Sequence, residues 1–215
     1  MRVLAVVGLK REAKLVVPYA AAVTPRDIGA AMDAGAAVAG IVSIGIAGAL
    51  APGLAVGDAV IAERVVTANE AFETDAKWTA RLAAALRDAR IGSILGRDAI
   101  ADSVEVKALL HDASRADAVD MESHLAARAA LARGVPFAAL RVISDGADRA
   151  LPPAALTAMK PDGAIALGRV LGSVLRRPSQ IPALIRTGRE SERAFAALLR
   201  CLDLLGPGLR CPYLV

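Results

Sequence analysis

The sequence predicts an α/β fold, with a central mixed, largely parallel β-sheet and a C-terminal helical extension. Three observations carry this. Short β-branched apolar runs recur, and segments with helical spacing fall between them. The runs end at glycine or at an acidic residue, and beyond Asp148 proline-punctuated helical patterns take over.

In chain order, residues 3–7 read as a buried parallel-type strand that ends at Gly8 and feeds a loop. Thr24 as N-cap and Pro25 in the first turn open a helix through residue 37, with Ile28, Ala31, Met32 and Gly35 at helical spacing. A second strand starts near Gly40, runs through residues 41–44 and reaches Gly45-Ile46-Ala47-Gly48, which reads as a tight strand exit. After Gly57-Asp58, AVIAERVV alternates as a half-exposed strand. Residues 75–89 read as a helix, 91–95 as a strand and 103–112 as a helix. Val119 ends a short strand, residues 121–133 form a helix with Met121, Leu125, Ala129 and Ala132 on one face, and 136–143 form a further strand. The extension reads as LPPAAL, a helix over 163–176 and a helical segment over 181–205. About 65 residues with scattered prolines make a marginal independent domain, so the expectation is one domain over 1–215, with an α/β core at 1–148 and helices over 149–215 packed on it.

Composition narrows the function classes. With 215 residues, 55% of them hydrophobic, the chain can bury about 70% of its unfolded surface. Its net charge of +4 is dispersed and only 3% of residues are aromatic, which argues against nucleic acid as a partner. Cys201 and Cys211 are too few for a disulfide scaffold and are not in a CxxC pair. No metal-ligand spacing occurs, and neither metal nor cofactor is expected. The opening MRVLAVVGLK is too short for a signal h-region or a membrane span, so the expected location is the cytoplasm.

Three polar clusters fall where predicted strands end: Glu12, Asp120-Met121-Glu122 and Ser144-Asp145. In a parallel sheet such ends share one edge, so these residues can meet in one cleft. Crowded carboxylates in a partly dry cleft repel one another, which raises at least one pKa toward neutrality and suits it to acid catalysis. Taken singly, each acid would ordinarily be a helix cap or a surface charge. His111 and His124 fall on predicted helices; His124 is two residues from Glu122, hence on a different face, which favours a structural role.

Five ordered motifs, namely Gly8 with Glu12, Gly45-Ile46-Ala47-Gly48, Gly57-Asp58, Val119-Asp120-Met121-Glu122 and Arg141-Val142-Ile143-Ser144-Asp145, resemble those of the purine nucleoside phosphorylase and methylthioadenosine/adenosylhomocysteine nucleosidase superfamily. Within it, AVDMESHLAARAALARGVPFAALRVISDGADRALPPAAL and RRPSQIPAL are most similar to the hopanoid-associated branch, whose members are assigned to release adenine from adenosylhopane. The resemblance implies a phosphorylase/hydrolase-like three-layer α/β/α fold and an enzyme that cleaves an N-glycosidic bond without a cofactor. It implies that Asp145, assisted by Ser144, protonates or hydrogen-bonds purine N7, that Glu122 holds the ribose hydroxyls with Met121 packed on the sugar, and that Glu12 positions the attacking water. Gly45 and Ile46 would offer backbone N–H groups to that water or to an oxyanion, and Ile100 would stand where relatives stack an aromatic on the base. Ser43 replaces an arginine that phosphate-using members carry, and Ile46 replaces a small hydroxyl residue, so water and phosphate both stay open as co-substrate, with Arg11 or Arg64 as possible anion ligands. The spacing from Gly8 to Glu12 is one residue shorter than in the nucleosidases.

The implied partner is a nucleoside with a large apolar 5′ substituent, and a homodimer is expected. The alternatives are a methylthioadenosine/adenosylhomocysteine nucleosidase, a purine nucleoside phosphorylase, or a non-catalytic nucleoside- or lipid-binding protein on the same fold. A last helix starting at Arg186 would place Arg186, Arg189, Arg193 and Arg200 opposite Ala194, Phe195, Leu198, Leu199, Leu202 and Leu205. It either docks on the core or also touches the inner face of a membrane.

Overall fold

The structure is a computed structural model that describes residues 1–158 and 178–214. Among the described residues eight strands form one sheet: β1 (Arg2–Val6), β2 (Ala21–Val23), β3 (Val38–Ala49), β4 (Ala59–Val66), β5 (Ala71–Glu73), β6 (Arg90–Gly96), β7 (Ala118–Asp120) and β8 (Phe137–Asp145). The helices are α1 (Lys10–Val16), α2 (Ile28–Asp33), α3 (Ala76–Ala85), α4 (Val104–Ser114), α5 (Ser123–Arg133), α6 (Pro153–Ala158) and α7 (Ile181–Leu205). The sheet is mixed and mostly parallel, with antiparallel pairing confined to β3–β7, β4–β5 and β4–β8.

Long β3 organises the whole. Its first part lies between β1 and β8, both parallel to it, and its last residues, Gly48 and Ala49, pair antiparallel with β7. Since β8 also pairs with β4, β4 with β6 and β6 with β7, the strands β3, β8, β4, β6 and β7 close into a ring, with β1 and β2 extending from β3. Residues of β1 feed two apolar layers: Val3 and Ala5 join one cluster, Leu4 and Val6 the other. That is the mark of a sheet covered on both faces, and it explains why residues 3–7 read as one unbroken apolar run. Residues of α1, α3 and α7 cover one face, and those of α2 and α5 the other.

The α2 region is shorter than its periodicity predicts. A 3₁₀ turn, Pro25–Asp27, leads into α2, which stops at Asp33, and Gly35 takes a left-handed φ of +77° that the helix could not continue through. The run 45–48 is not a strand exit either: β3 passes straight through it, because hydrogen bonding to β8 and β7 continues to Ala49. In α7, Ala194, Phe195, Leu198, Leu202 and Leu205 are buried in the cluster that holds Val42, Ile44 and Leu140, whereas Leu199 turns outward. The chain then folds back: Trp78 Nε1 donates to Leu209 O at 2.8 Å, and Tyr213 Oη donates to Asp75 at 2.8 Å. The predicted helix over 163–176 lies outside the described residues. No described helix is long and apolar enough to cross a membrane.

Candidate active site

The ends of β1, β3, β7 and β8 bring the predicted acids to one edge, and a residue that sequence reasoning gave no role sits at their centre. Arg141, on β8, is fully buried and faces Gly45 across the strand pair. Its Nε donates to Asp120, its Nη2 donates to Ser43 Oγ at 2.7 Å and Ser123 Oγ at 3.3 Å, and Nη2 lies 3.5 Å from Glu122 Oε2. Ser43, at the position where an arginine would mark a phosphate site, is thus an acceptor for Arg141. Its Nη1 is buried with no hydrogen-bond partner among the described residues. A methyl group on Gly45 would sit 2.7 Å from that Nη1 and 2.3 Å from Glu12 Oε1, so glycine is what lets the guanidinium and the carboxylate meet there.

Glu12, in the first turn of α1, is buried. Its Oε2 accepts from the N–H of Gly8 at 2.9 Å and Leu9 at 2.8 Å, and its Oε1 from Ile46 N–H at 2.9 Å. Glu12 therefore caps its own helix and bonds to the middle of β3, and it is no solvated surface acid. Burial pushes its pKa above the usual carboxylate range, against the pull of Arg141 and the three N–H groups. Glu122 immediately precedes α5 and its carboxylate covers Gly8, where a Cβ would lie 2.2 Å from Oε1. Burial, opposed by Arg141 and reinforced by repulsion from Asp120 and Glu12, pushes Glu122 up to about 7. For Arg141, burial favours the neutral form, but Asp120, Glu122 and Glu12 outweigh it and raise its pKa.

Asp145 ends β8, three residues further along β3 and so roughly 10 Å from the Glu12 contact at Gly45. The register with β3 shifts here, Ala47 pairing with Ile143 and Gly48 with Asp145, so that Ser144 is the extra residue of a bulge. Ser144 Oγ bonds Ala47 O at 3.1 Å and Asp145 Oδ1 at 2.7 Å. Asp145 is no helix cap; it forms an ion pair with Lys107 of α4, also fully buried. Lys107 likewise escaped sequence reasoning.

The remaining expectations separate. Met121 is 36% exposed beside Glu122, so it is no core residue. Ile100 is half-buried in the loop between β6 and α4, outside the hydrogen-bonded cluster. His124 is buried, its Nε2 lying 3.1 Å from Asp98 Oδ1, a structural placement. Of the two arginines offered for an anion, Arg11 is held by Glu192 of α7 and lies 4.3 Å from the Phe195 ring centre, and Arg64 stands on β4 opposite Glu73 of β5 in the backbone register. Among the described residues no group of His, Cys, Asp and Glu has metal-binding geometry.

The model of one family, the phosphorylase superfamily, matches residues 29–176, more than half of the sequence. The chain belongs to that superfamily. No curated protein matches it by sequence. Among solved structures it is similar to S-adenosylhomocysteine nucleosidase from Streptococcus pyogenes, at 17% identity and a TM-score of 0.61 over 94% of this chain and 97% of that one. Futalosine hydrolase of Helicobacter pylori gives 16% and 0.63 over 94% and 97%, and the 5′-methylthioadenosine/S-adenosylhomocysteine nucleosidase of S. pneumoniae 18% and 0.61 over 94% and 100%. Likeness at these identities establishes the shared fold. It also bears out the layered α/β architecture that the motifs implied.

Proposed function

We propose that this phosphorylase-superfamily protein hydrolyses the N-glycosidic bond of an adenosyl compound with an apolar 5′ substituent, releasing adenine. Asp145 supplies a proton to N7, which turns adenine into a better leaving group. Glu122, ionised, holds the ribose hydroxyls and stabilises the positive charge that grows at C1′, with Met121 against the sugar. Glu12, with its raised pKa, takes the proton of the attacking water. The solved structures named above are of nucleosidases and a hydrolase, which supports this class of reaction.

One observation favours water over phosphate. The backbone N–H groups of Gly8, Leu9 and Ile46 that could cradle an anion already serve Glu12, and the single charge of Arg141 faces Asp120, Glu122 and Glu12. A phosphate dianion entering there would meet surplus negative charge, whereas water can accept from Arg141 Nη1, which has no partner among the described residues, and donate to Glu12 Oε1. Adenine release should therefore proceed at the same rate with and without phosphate. A rate that rises in proportion to phosphate would refute the hydrolytic reading, and tight nucleoside binding without adenine release would favour a binding protein.

For the 5′ group, the resemblance to the hopanoid-associated branch points to adenosylhopane, and hence to a step in hopanoid biosynthesis. The N-terminal half of α7 supports an encounter with lipid: Ile181 and Ile185 are exposed beside Arg186, Arg189 and Arg193, an apolar and basic face suited to the anionic inner face of a membrane. A base-release assay comparing adenosylhopane with methylthioadenosine, each with and without phosphate, tests both the substrate and the nucleophile.

A further inference from the structure

Helix α4 packs Val106 and Leu110 against the core and buries a cation beside them. Lys107 is 0% exposed while Leu109 is 69% exposed, so the helix takes a lysine inward and leaves a leucine to solvent. Three oxygens surround the ammonium: Asp145 Oδ2, Gly146 O at 2.8 Å and Arg149 O at 3.0 Å. An ammonium has three hydrogens, and each has one of these acceptors. Two of them fasten the segment that follows β8, and the third lies between Lys107 and Asp145. Of the pair, only Asp145 reaches the surface, its side chain being 12% exposed.

We infer that Lys107 supplies, through Asp145, the proton that the leaving adenine takes at N7. The inference rests on the N-glycosidase reading above. As the C1′–N9 bond breaks, its electron pair passes into the purine. The Asp145 carboxylate, paired with the Lys107 ammonium, takes the third hydrogen of Lys107 at Oδ2 as the carboxyl group so formed passes one proton to N7, leaving Asp145 again a carboxylate, Lys107 a neutral amine and adenine neutral. The amine keeps both hydrogen bonds to Gly146 O and Arg149 O, so the segment stays fastened while only the shared proton moves. Solvent returns a proton to Lys107 after adenine departs, and the proton that Glu12 removes from the attacking water goes back to solvent, so the cycle balances. Lys107 touches no substrate and acts only through Asp145.

The test uses Lys107→Met, which removes every donor, and Lys107→Gln, which keeps N–H groups for the two carbonyls. Either one serves if the other fails to fold. Adenine release from 5′-methylthioadenosine is measured together with affinity for its 7-deaza analogue, which has no N7 to protonate and reports only whether the pocket is intact. The expected result is a kcat lower by about a hundredfold or more, with affinity for the analogue within about threefold of wild type. The double variant with Asp145→Asn should lose no more than Asp145→Asn alone, because the two groups act as one unit. Near-normal kcat, affinity lost as much as turnover, or multiplicative losses in the double variant would each overturn the relay. A wild-type protein that releases no adenine from any 5′-substituted adenosine would instead refute the N-glycosidase reading, and the relay with it.

Discussion

Replacing Glu122 by Gln should make the protein more stable and less active, and the size of the gain follows from the charges around Arg141. In the folded protein burial and the neighbouring Asp120 and Glu12 lift Glu122 from 4.5 to about 7. The folded state therefore binds this proton more tightly than the unfolded chain does between those two values. The resulting penalty is absent below pH 4.5, grows as pH rises, and is complete above about 7. A shift of this size corresponds to roughly 3 kcal/mol, shared among coupled carboxylates and not owned by Glu122 alone. Gln carries no charge at any pH and also relieves the repulsion on Glu12. Urea unfolding of wild type and Glu122→Gln from pH 5 to pH 8 should thus show similar stabilities at the acid end. By pH 8 the variant should lead by up to about 3 kcal/mol, a midpoint shift of roughly 1.5 M for an m of about 2 kcal/mol/M. Turnover should fall by about a hundredfold, more than affinity does, because the lost charge acts on the cationic sugar. For wild type, kcat/KM should rise with pH through about 7 as Glu122 ionises. A stability difference between variant and wild type that stays flat from pH 5 to 8 would refute the reasoning.

Asp145→Asn should keep the fold and lose about a hundredfold or more in adenine release, since an amide cannot pass a proton to N7; a folded variant with a normal rate removes Asp145 from the mechanism. Gly45→Ala should cost about 2 kcal/mol in thermal or urea unfolding and most of the activity, because its methyl group would displace Glu12 Oε1 and Arg141 Nη1. Wild-type stability and no loss of rate would mean the two groups do not meet there. Ile181→Ser with Ile185→Ser should leave turnover of soluble methylthioadenosine unchanged and slow a vesicle-borne substrate. Equal rates on vesicles would argue against lipid contact.

The acids were legible because each stands where a strand pattern ends, and that position survives translation into three dimensions: Glu12 follows β1, Asp120 ends β7 and Glu122 follows it, and Asp145 ends β8. Their partners were less so. Arg141 left a signal, a lone cation inside the apolar run FAALRVI, and a buried cation must find acids. Lys107 left none, since a lysine on a helix that also carries Leu109 and Leu110 would ordinarily face water. Gly45 and Gly48 look locally like a turn. Their small size is explained only by groups arriving from far along the chain, Glu12 and Arg141 at the first and Asp145 at the second. The closure of five strands into a ring depends on the pairing of β7, three residues long, with β3 and β6, which no local pattern specifies. The C-terminal helix was legible as to its faces, with Leu199 the exception.

One arginine facing three carboxylates is a costly arrangement, and the acids come from three places that repulsion would drive apart: the first turn of α1, the end of β7 and the start of α5. What resists is backbone pairing and close packing, not charge balance. The end of β1 is held by parallel bonding to β3, and β7 is pinned between β3 and β6. The start of α5 is held near the sheet through Ala126, Ala127 and Ala130, whose small side chains let the helix approach closely. Ser123 adds a second tie, its N–H and hydroxyl both bonding Asp120. Loosening any of these ties would let water reach the carboxylates, lower the raised pKa values of Glu12 and Glu122, and so weaken the base and shift the pH dependence of the reaction to lower values. The rigidity of the strand ring is therefore part of the chemistry: it keeps ionisable groups close enough to stay perturbed, at a distance that each alone would avoid.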